Sequence, residues 1–354
     1  MDRYAARHFP IAKEEQVFCA LLRRNIDGIS EQAAHRKWAS GYVGNAAGEG
    51  FGMGLQIEGG TAWVGALCLQ ARRWHKGQTA QTVFCLADFN VDAEHRSLGP
   101  ALALMKAAIA EAETREAAVY GFPNAAARGL VKRAGLIPLG CMQCFGKLLS
   151  SRFLGRHHAD SHGAEQGFLR RCAARLAPVV DPILWLLDAL QTLLRGHGAR
   201  AYHADFEQPW MDTLWAARDE QLRLSERSAA TVAWRYRSDL REGWRVARID
   251  TGKGTPLGYV VWRLNTELAE VGDLFCAQPR AGITAILLAF SPLARREGAM
   301  AISLEFLGNA QVAANIRRAG FFSRPTTDEV LGKGISAAEV AVNGYFTGFD
   351  RDTH

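Results

Sequence analysis

Asp88-Phe89-Asn90-Val91-Asp92-Ala93-Glu94-His95-Arg96-Ser97-Leu98-Gly99-Pro100-Ala101, continued by Leu102-Ala103-Leu104-Met105-Lys106, runs from an apolar segment through a tight loop into an Ala/Leu-rich stretch. Residues 82–89 read as a strand and residues 101–112 as a helix, so the loop between them is a strand-to-helix turn. Its centre is Arg96-x-x-Gly99-x-Ala101. Gly99 has no side chain to hold a ligand off the backbone, and Pro100 falls at a first helical position, where its missing N–H is no loss. The remaining N–H groups of the loop and first turn stand at the positive end of the helix dipole, an arrangement that suits a pyrophosphate.

The same neighbourhood occurs twice. Asn124-Ala125 lies ahead of Arg133-Ala134-Gly135-Leu136, and Asn309-Ala310 ahead of Arg318-Ala319-Gly320-Phe321, with an Asn-to-Gly spacing of 11 in both (135 − 124 and 320 − 309). The offset of 185 (309 − 124) also lays Asp88-Phe89 on Asp273-Leu274. One offset held across strand, loop, helix and strand indicates internal duplication. The copies part at the loop. Arg96-Ser97-Leu98-Gly99-Pro100-Ala101 falls on Ala281-Gly282-Ile283-Thr284-Ala285-Ile286, so the Arg is missing and Gly99 is matched by Thr284. A Thr side chain stands where phosphate oxygens must reach backbone N–H groups, so pyrophosphate binding is expected in the first copy alone.

Arg-x-x-Gly-x-Ala between a strand and an apolar helix resembles the acyl-CoA pyrophosphate loop of the GNAT (Gcn5-related N-acetyltransferase) superfamily. Asn124, a short helix and Gly135-Leu136 resemble its second signature, a helix that packs near the pantetheine arm. The chain resembles a tandem GNAT protein over nearly its whole length. That implies an α/β (α+β) fold with mixed sheets: a GNAT-like acyl-CoA-binding domain over 1–150, a linker with an apolar helix over 151–205, and a second GNAT-like domain with a degenerate loop over 206–354. Trp234-Arg235-Tyr236 and Asp350-Arg351-Asp352 resemble shorter marks of tandem relatives.

The resemblance implies acyl transfer from acetyl-CoA or another acyl-CoA, as cosubstrate, to a small-molecule amine, with no metal. It places Phe89, Asn90 and Val91 beside the pantetheine and thioester carbonyl. Arg96, Ser97, Leu98, Gly99, Pro100 and Ala101 fall to the pyrophosphate, and Asn124 to the second signature helix. Many relatives carry a Tyr seven residues after that Asn; here the positions are Val131 and Ile316, which have no proton to give. Tyr120, at a strand end, is then the candidate acid, set against a reading in which its hydroxyl is satisfied by a backbone carbonyl. Asp88 is the candidate base, set against a loop-anchoring role. Arg235, Tyr236 and Glu305 are the candidates to bind the acceptor if the second domain faces the first. An amino-sugar acceptor in bacterial envelope or exopolysaccharide synthesis follows from fold analogy alone. Two other readings stay open: a peptidoglycan-type transferase using aminoacyl-tRNA, against which the intact loop counts, and a non-catalytic scaffold, which Val131 and Ile316 favour.

At 354 residues the chain has room for two cores, and 48% hydrophobic with 22% charged residues fits a soluble globular protein. A net charge of +6 suits an anionic ligand or a solvated basic surface; without a basic run interleaved with aromatics, nucleic acid is not an expected partner. Met1-Asp2-Arg3-Tyr4-Ala5 has no apolar leader, and seven scattered cysteines fit a reducing cytoplasm. Cys141-x-x-Cys144 lacks a second pair and reads as packing. His157, His158, Asp160 and His162 read as solvated linker residues. Between Leu176 and Leu194 lies an apolar stretch flanked by Arg170, Arg171, Arg175, Arg195 and Arg200. Asp181, Asp188 and Pro182 argue against its crossing a membrane, and Asp181-Pro182 reads as an N-cap and first helical residue. Val179, Val180, Ile183, Leu187, Leu190 and Leu194 share one helical face, with Asp181, Trp185, Asp188 and Thr192 opposite. The apolar face is expected to cement the two halves; rest on a membrane surface, with Arg at the headgroups, is the alternative.

Overall fold

The apolar run over residues 82–89 is the inner part of one arm of a long hairpin, β3 (Trp63–Lys76) and β4 (Thr79–Val91), turned at Gly77 with φ +59°. The computed structural model describes residues 4–9, 11–153, 164–236, 243–324 and 326–352, with side chains for all of these except 164–178. His157, His158, Asp160 and His162 lie outside the described residues, as do the side chains of Arg170, Arg171 and Arg175.

Around the hairpin, β1 (Tyr4–Phe9) pairs with β2 (Phe51–Ile57), β2 with β3, and β4 runs parallel to β5 (Ala118–Gly121). Helix α1 (Glu15–Asn25) and helix α2 (Glu31–Tyr42) precede β2; Ser30 caps α2 by accepting from the Ala33 N–H. Trp38 sits within α2. Helix α3 (Leu98–Thr114) makes the crossover from β4 to β5 and buries Leu104, Met105, Ala108 and Ile109 against the sheet. Helix α4 (Ala125–Arg133) follows, capped by Asn124 through the Ala127 N–H.

Residues 137–148 form two strands. β6 (Ile137–Cys141) stays at the edge of the first half, and β7 (Gln143–Leu148) leaves it. The second half supplies β8 (Arg200–Ala204), α6 (Pro209–Ala216), β9 (Arg223–Ser225), α7 (Ala229–Arg235), β10 (Arg245–Asp250), β11 (Pro256–Asn265) and β12 (Leu268–Cys276). There follow α8 (Pro279–Arg296), β13 (Ala301–Gly308), α9 (Ala310–Arg318), β14 (Phe322–Arg324), β15 (Glu329–Lys333), α10 (Ala337–Asn343) and β16 (Gly344–Phe346).

β7 lies between β13 and β14, antiparallel to both, and β15 lies between β5 and β6, again antiparallel to both. The strand order is then β1-β2-β3-β4-β5-β15-β6 in one half and β8-β10-β11-β12-β13-β7-β14 in the other. Each half completes its sheet with a strand from the other, so pairing cuts across the boundaries at 150 and 206. Cys141 and Cys144 fall on these two strands, β6 and β7, which belong to different halves.

The linker helix, α5 (Ala164–Arg195), runs unbroken through Asp181-Pro182. Asp181 does not cap it: its carboxylate accepts from the Ser151 N–H (2.7 Å), the Ser151 hydroxyl (2.9 Å) and the Ser150 hydroxyl (2.7 Å). Asp188 pairs with the buried Lys147 ammonium at 2.9 Å and with Arg295 at 2.7 Å. The polar face thus docks on the body, and Val179, Ile183, Leu187, Leu190 and Leu194 point to solvent. That reverses the cementing role expected of them, because the carboxylates find cations and donors on the body. No described helix is long and apolar enough to cross a membrane.

Candidate active site

β4 and β5 are hydrogen-bonded over three residue pairs only, Val83–Ala118, Phe84–Val119 and Cys85–Tyr120. Beyond them β4 continues to Val91 while β5 ends at Gly121, and the strands part. At the same place β4 carries a bulge: Ala87 faces Cys68 and Asn90 faces Ala66, leaving Asp88 and Phe89 opposite Leu67 alone. Asp88 takes φ 53°, an unusual conformation for a residue with a side chain. The Asn90 side-chain amide (Nδ2) donates to the Asp88 carbonyl at 2.9 Å and steadies the kink.

A cleft of about 240 Å³ opens where the strands separate. Its apolar wall includes Leu67, Leu86, Met105, Phe122 and Val131, and its polar groups are Lys37, Asp88, Asn124 and Asp352. The Asp88 side chain, 2% exposed, accepts an ion pair from Lys37 at 2.8 Å and the Tyr42 hydroxyl at 2.5 Å. Asp352 stands near enough for the Asp88 charge to act on it. Burial, with that like charge, raises the Asp352 pKa above the usual carboxylate value, while Lys37 draws it down. Lys37 and Tyr42 were not among the residues singled out from the sequence, and Asp352 was not among the candidate site residues. The Asp350-Arg351-Asp352 run was visible, but not that it reaches the other half.

The loop after β4 forms a short 3₁₀ turn, Ala93–His95, and enters α3 with Ser97 at the N-cap. No side chain caps this end, so the first N–H groups of the helix remain available. Ser97, Leu98 and Gly99 are exposed, Ala101 is half-buried and Pro100 packs inward. A Cβ placed on Gly99 would meet no protein atom within 4 Å. Arg96 folds back over its own loop, donating to the Val91 carbonyl and to the Asn25 side-chain oxygen, both at 3.1 Å. It braces the loop and does not project from it.

The second half closes the equivalent space. Helix α8 begins at Pro279, four residues ahead of the position that the offset assigns to the start of α3 (98 + 185 − 279). Thr284 is buried there and donates to the Asn315 carbonyl at 3.0 Å. β12 and β13 pair from Leu268–Ala301 to Val271–Leu304 and then part. The end of the chain fills that opening: the Tyr345 hydroxyl donates to the Leu274 carbonyl at 2.5 Å, and the Thr347 hydroxyl to Asp273 at 2.6 Å. Asp273 is fully buried against Arg227 and Tyr259; burial drives its pKa up, while Arg227 opposes the rise.

The remaining candidates lie away from the cleft. Tyr120 is fully buried and donates to the Asp350 carbonyl at 2.8 Å, so its proton is committed to the backbone; an acid role does not fit this placement. Arg235 is fully buried and bonds the Phe349 carbonyl at 2.9 Å and the Arg351 carbonyl. Tyr236 packs on Trp244 and Phe349, fully buried, and Glu305 receives both guanidinium arms of Arg351 at 2.6 and 3.0 Å. These three hold the terminal segment that carries Asp352; Arg235 and Tyr236, fully buried, leave no face for an acceptor, and the Glu305 carboxylate is taken by Arg351.

No protein-family model matches the chain, and no curated protein matches it. Solved structures do. A conserved Enterococcus faecalis protein described as a probable N-acyltransferase superposes with a TM-score of 0.63 at 9% identity, over 93% of this chain and 72% of its own. A GCN5-related N-acetyltransferase from Anabaena variabilis gives 0.62 at 12%, over 95% and 74%. Saccharomyces cerevisiae N-myristoyltransferase, solved with bound myristoyl-CoA, gives 0.52 at 9%, over 94% and 78%. The parted parallel strands, the bulge and the open helix end thus sit in a chain that has the fold of the GCN5-related N-acetyltransferases.

Proposed function

We propose that this protein is an acyl-CoA-dependent N-acyltransferase with one donor site, in the first half, and that the second half is a duplicated copy whose site has been filled. The observation that carries the reading is the cleft between β4 and β5 beside the uncapped start of α3, where Gly99 faces open space. The N–H groups at that end suit a pyrophosphate, and the apolar wall behind them suits a pantetheine arm and acyl group.

Acyl transfer forms a C–N bond, breaks the C–S bond and releases a proton from the attacking amine. Asp352 is the group placed to take that proton, since burial beside Asp88 makes its carboxylate more basic than an ordinary Asp. Asp88, tied to Lys37 and Tyr42, supplies the fixed negative charge that attracts a cationic acceptor. A thiol has a pKa of about 8.5, so the departing sulfur needs little help from an acid. Val131 in place of a Tyr is compatible with catalysis for that reason.

Gly99→Thr tests the donor site. The backbone φ is ordinary and the space is empty, so the folded chain accepts the side chain, while a ligand on the loop does not. Calorimetry on the native protein should show one acetyl-CoA per chain. In Gly99→Thr the affinity should fall by roughly a hundredfold or more, the loss of about two charge-assisted hydrogen bonds, with an unchanged melting temperature. Unaltered affinity in a folded Gly99→Thr protein overturns the assignment.

A further inference from the structure

Helix α5 presents an apolar face that no described residue covers. Val179, Ile183, Leu186, Leu187, Leu190 and Leu194 are between 48% and 67% exposed, and Leu193 is 81% exposed. At 100° per residue these side chains fill about 120° of the helix circumference, broader than the two-position seam of a paired coiled coil. The acids of this segment are turned inward onto Lys147, Arg295 and the serines at 150 and 151. From residue 182 to residue 204 the only acid is the buried Asp188, so the outward surface carries no carboxylate.

Across the helix from this face, between α5, β8 and α8, is a hollow of about 610 Å³. Arg200, Arg295 and Arg296 line it with Trp185 and Tyr202. Arg295 is held by Asp188, whereas Arg200 and Arg296 are exposed and make no ion pair with a described residue. Trp185, 59% exposed, stands in the hollow's wall on the side of the helix away from the leucines. A broad leucine face on one side of the helix, with a Trp and guanidinium groups that pair with no described acid on the other, has the charge and polarity of a helix lying at an anionic bilayer surface, acyl chains meeting the leucines and headgroups the arginines.

We infer that α5 and the adjoining arginine hollow dock this protein on membranes rich in anionic lipid, with the helix parallel to the surface. Docking adds a membrane-side location to the transferase reading and does not depend on it. The test is flotation of the full chain with vesicles of phosphatidylcholine alone and of phosphatidylcholine with phosphatidylglycerol, at about 0.1 M salt and above. The protein should float with the anionic vesicles and be released as salt rises. Leu187→Glu with Leu190→Glu should lower binding by about tenfold or more, at an unchanged melting temperature because both side chains are already exposed. Arg200→Glu with Arg296→Glu should remove the preference for anionic over neutral vesicles. Absence of vesicle binding, or full binding by the Leu187→Glu/Leu190→Glu protein, overturns the inference. So does a dimer in sedimentation velocity that those same two substitutions split, since the face then belongs to a second copy of the chain.

Discussion

Asp88 and Asp352 are two carboxylates made unequal by their partners. Asp88 has Lys37 and Tyr42 within hydrogen-bonding distance, whereas burial and the Asp88 charge make Asp352 reluctant to ionise. Folding therefore raises the Asp352 pKa. The proton it holds contributes stability that is fully present below the unfolded value of about 3.9 and is lost as pH rises through the higher folded value. The proposed base role needs the opposite state, the carboxylate, so the rate should rise with pH through that same raised pKa. Asp352→Asn removes the base and the buried charge together. It should lower kcat by about 10²–10⁴, flatten the acid limb of the rate–pH profile, leave acetyl-CoA affinity unchanged and not reduce the melting temperature at neutral pH. A wild-type acid limb surviving in Asp352→Asn would show that the base is elsewhere. Gly99, Asn124 and Asp88 were legible in the sequence because their signals are local: a turn, a cap, a strand end. Lys37 and Asp352 were not, since they reach the cleft from 51 residues before Asp88 and 264 after it (88 − 37 and 352 − 88).

The order of strands and helices was likewise legible, because each element carries its own period and caps; Asn124 and Asn309 both prove to be N-caps. The exchange of β7 and β15 was not. A strand's alternation says which face is buried but not which sheet edge it joins. Residues 137–148 could be read as one strand because the reversal at Met142 is made by a long-range bond, its N–H donating to the Asp328 carbonyl at 2.9 Å. The face of α5 was misjudged for a related reason: helical periodicity divides the residues correctly, but the cations that capture Asp188 lie 41 residues before and 107 after it (188 − 147 and 295 − 188). Strand exchange makes a specific demand on a divided chain. If a protease site is placed within residues 154–163 and cut, each fragment still has a strand seated in the other's sheet, β7 in one and β15 in the other. The two pieces should co-elute at the mass of the intact protein and separate only in denaturant. Residues 1–150 expressed alone should not fold cooperatively, because β5 and β6 lose the strand between them and both expose unpaired edges. Separation of the cut fragments under native conditions, or a well-folded 1–150 fragment, would contradict the pairing.

At the scale of the whole molecule, the second half fills its own opening with Tyr345 and Thr347, and the same segment continues to Asp352 in the cleft of the first half. Several contacts fix its course: Arg227 to Asp350 at 3.0 Å, Arg235 to the Phe349 carbonyl at 2.9 Å, Arg72 to the Arg351 carbonyl at 3.2 Å and Arg351 to Glu305. Arg72 comes from β3 of the first half, so both halves grip the tail. The proposed donor site and the proposed base thus belong to different halves, and the grip on the tail links them. Arg351→Ala tests that link without touching the cleft. Arg351 is not among the cleft residues; it binds Glu305 at 2.6 Å and Asp328 at 2.6 Å, and these acids draw its pKa up despite burial. Its loss frees two carboxylates that are partly exposed, so the cost in stability should be modest, about 1–2 kcal/mol. The tail should lose register, because Glu305 no longer positions the residue next to Asp352. Positioning errors of this kind act on turnover more than on binding. The expected result is a kcat lowered by roughly tenfold or more, with acetyl-CoA affinity by calorimetry within about twofold of the native value. Arg351→Lys, which keeps one charged contact but not the paired guanidinium arms, should recover part of the rate. Loss of acetyl-CoA affinity in parallel with rate would mean that the tail supports the donor site itself, and equal rates in all three proteins would remove the tail from catalysis.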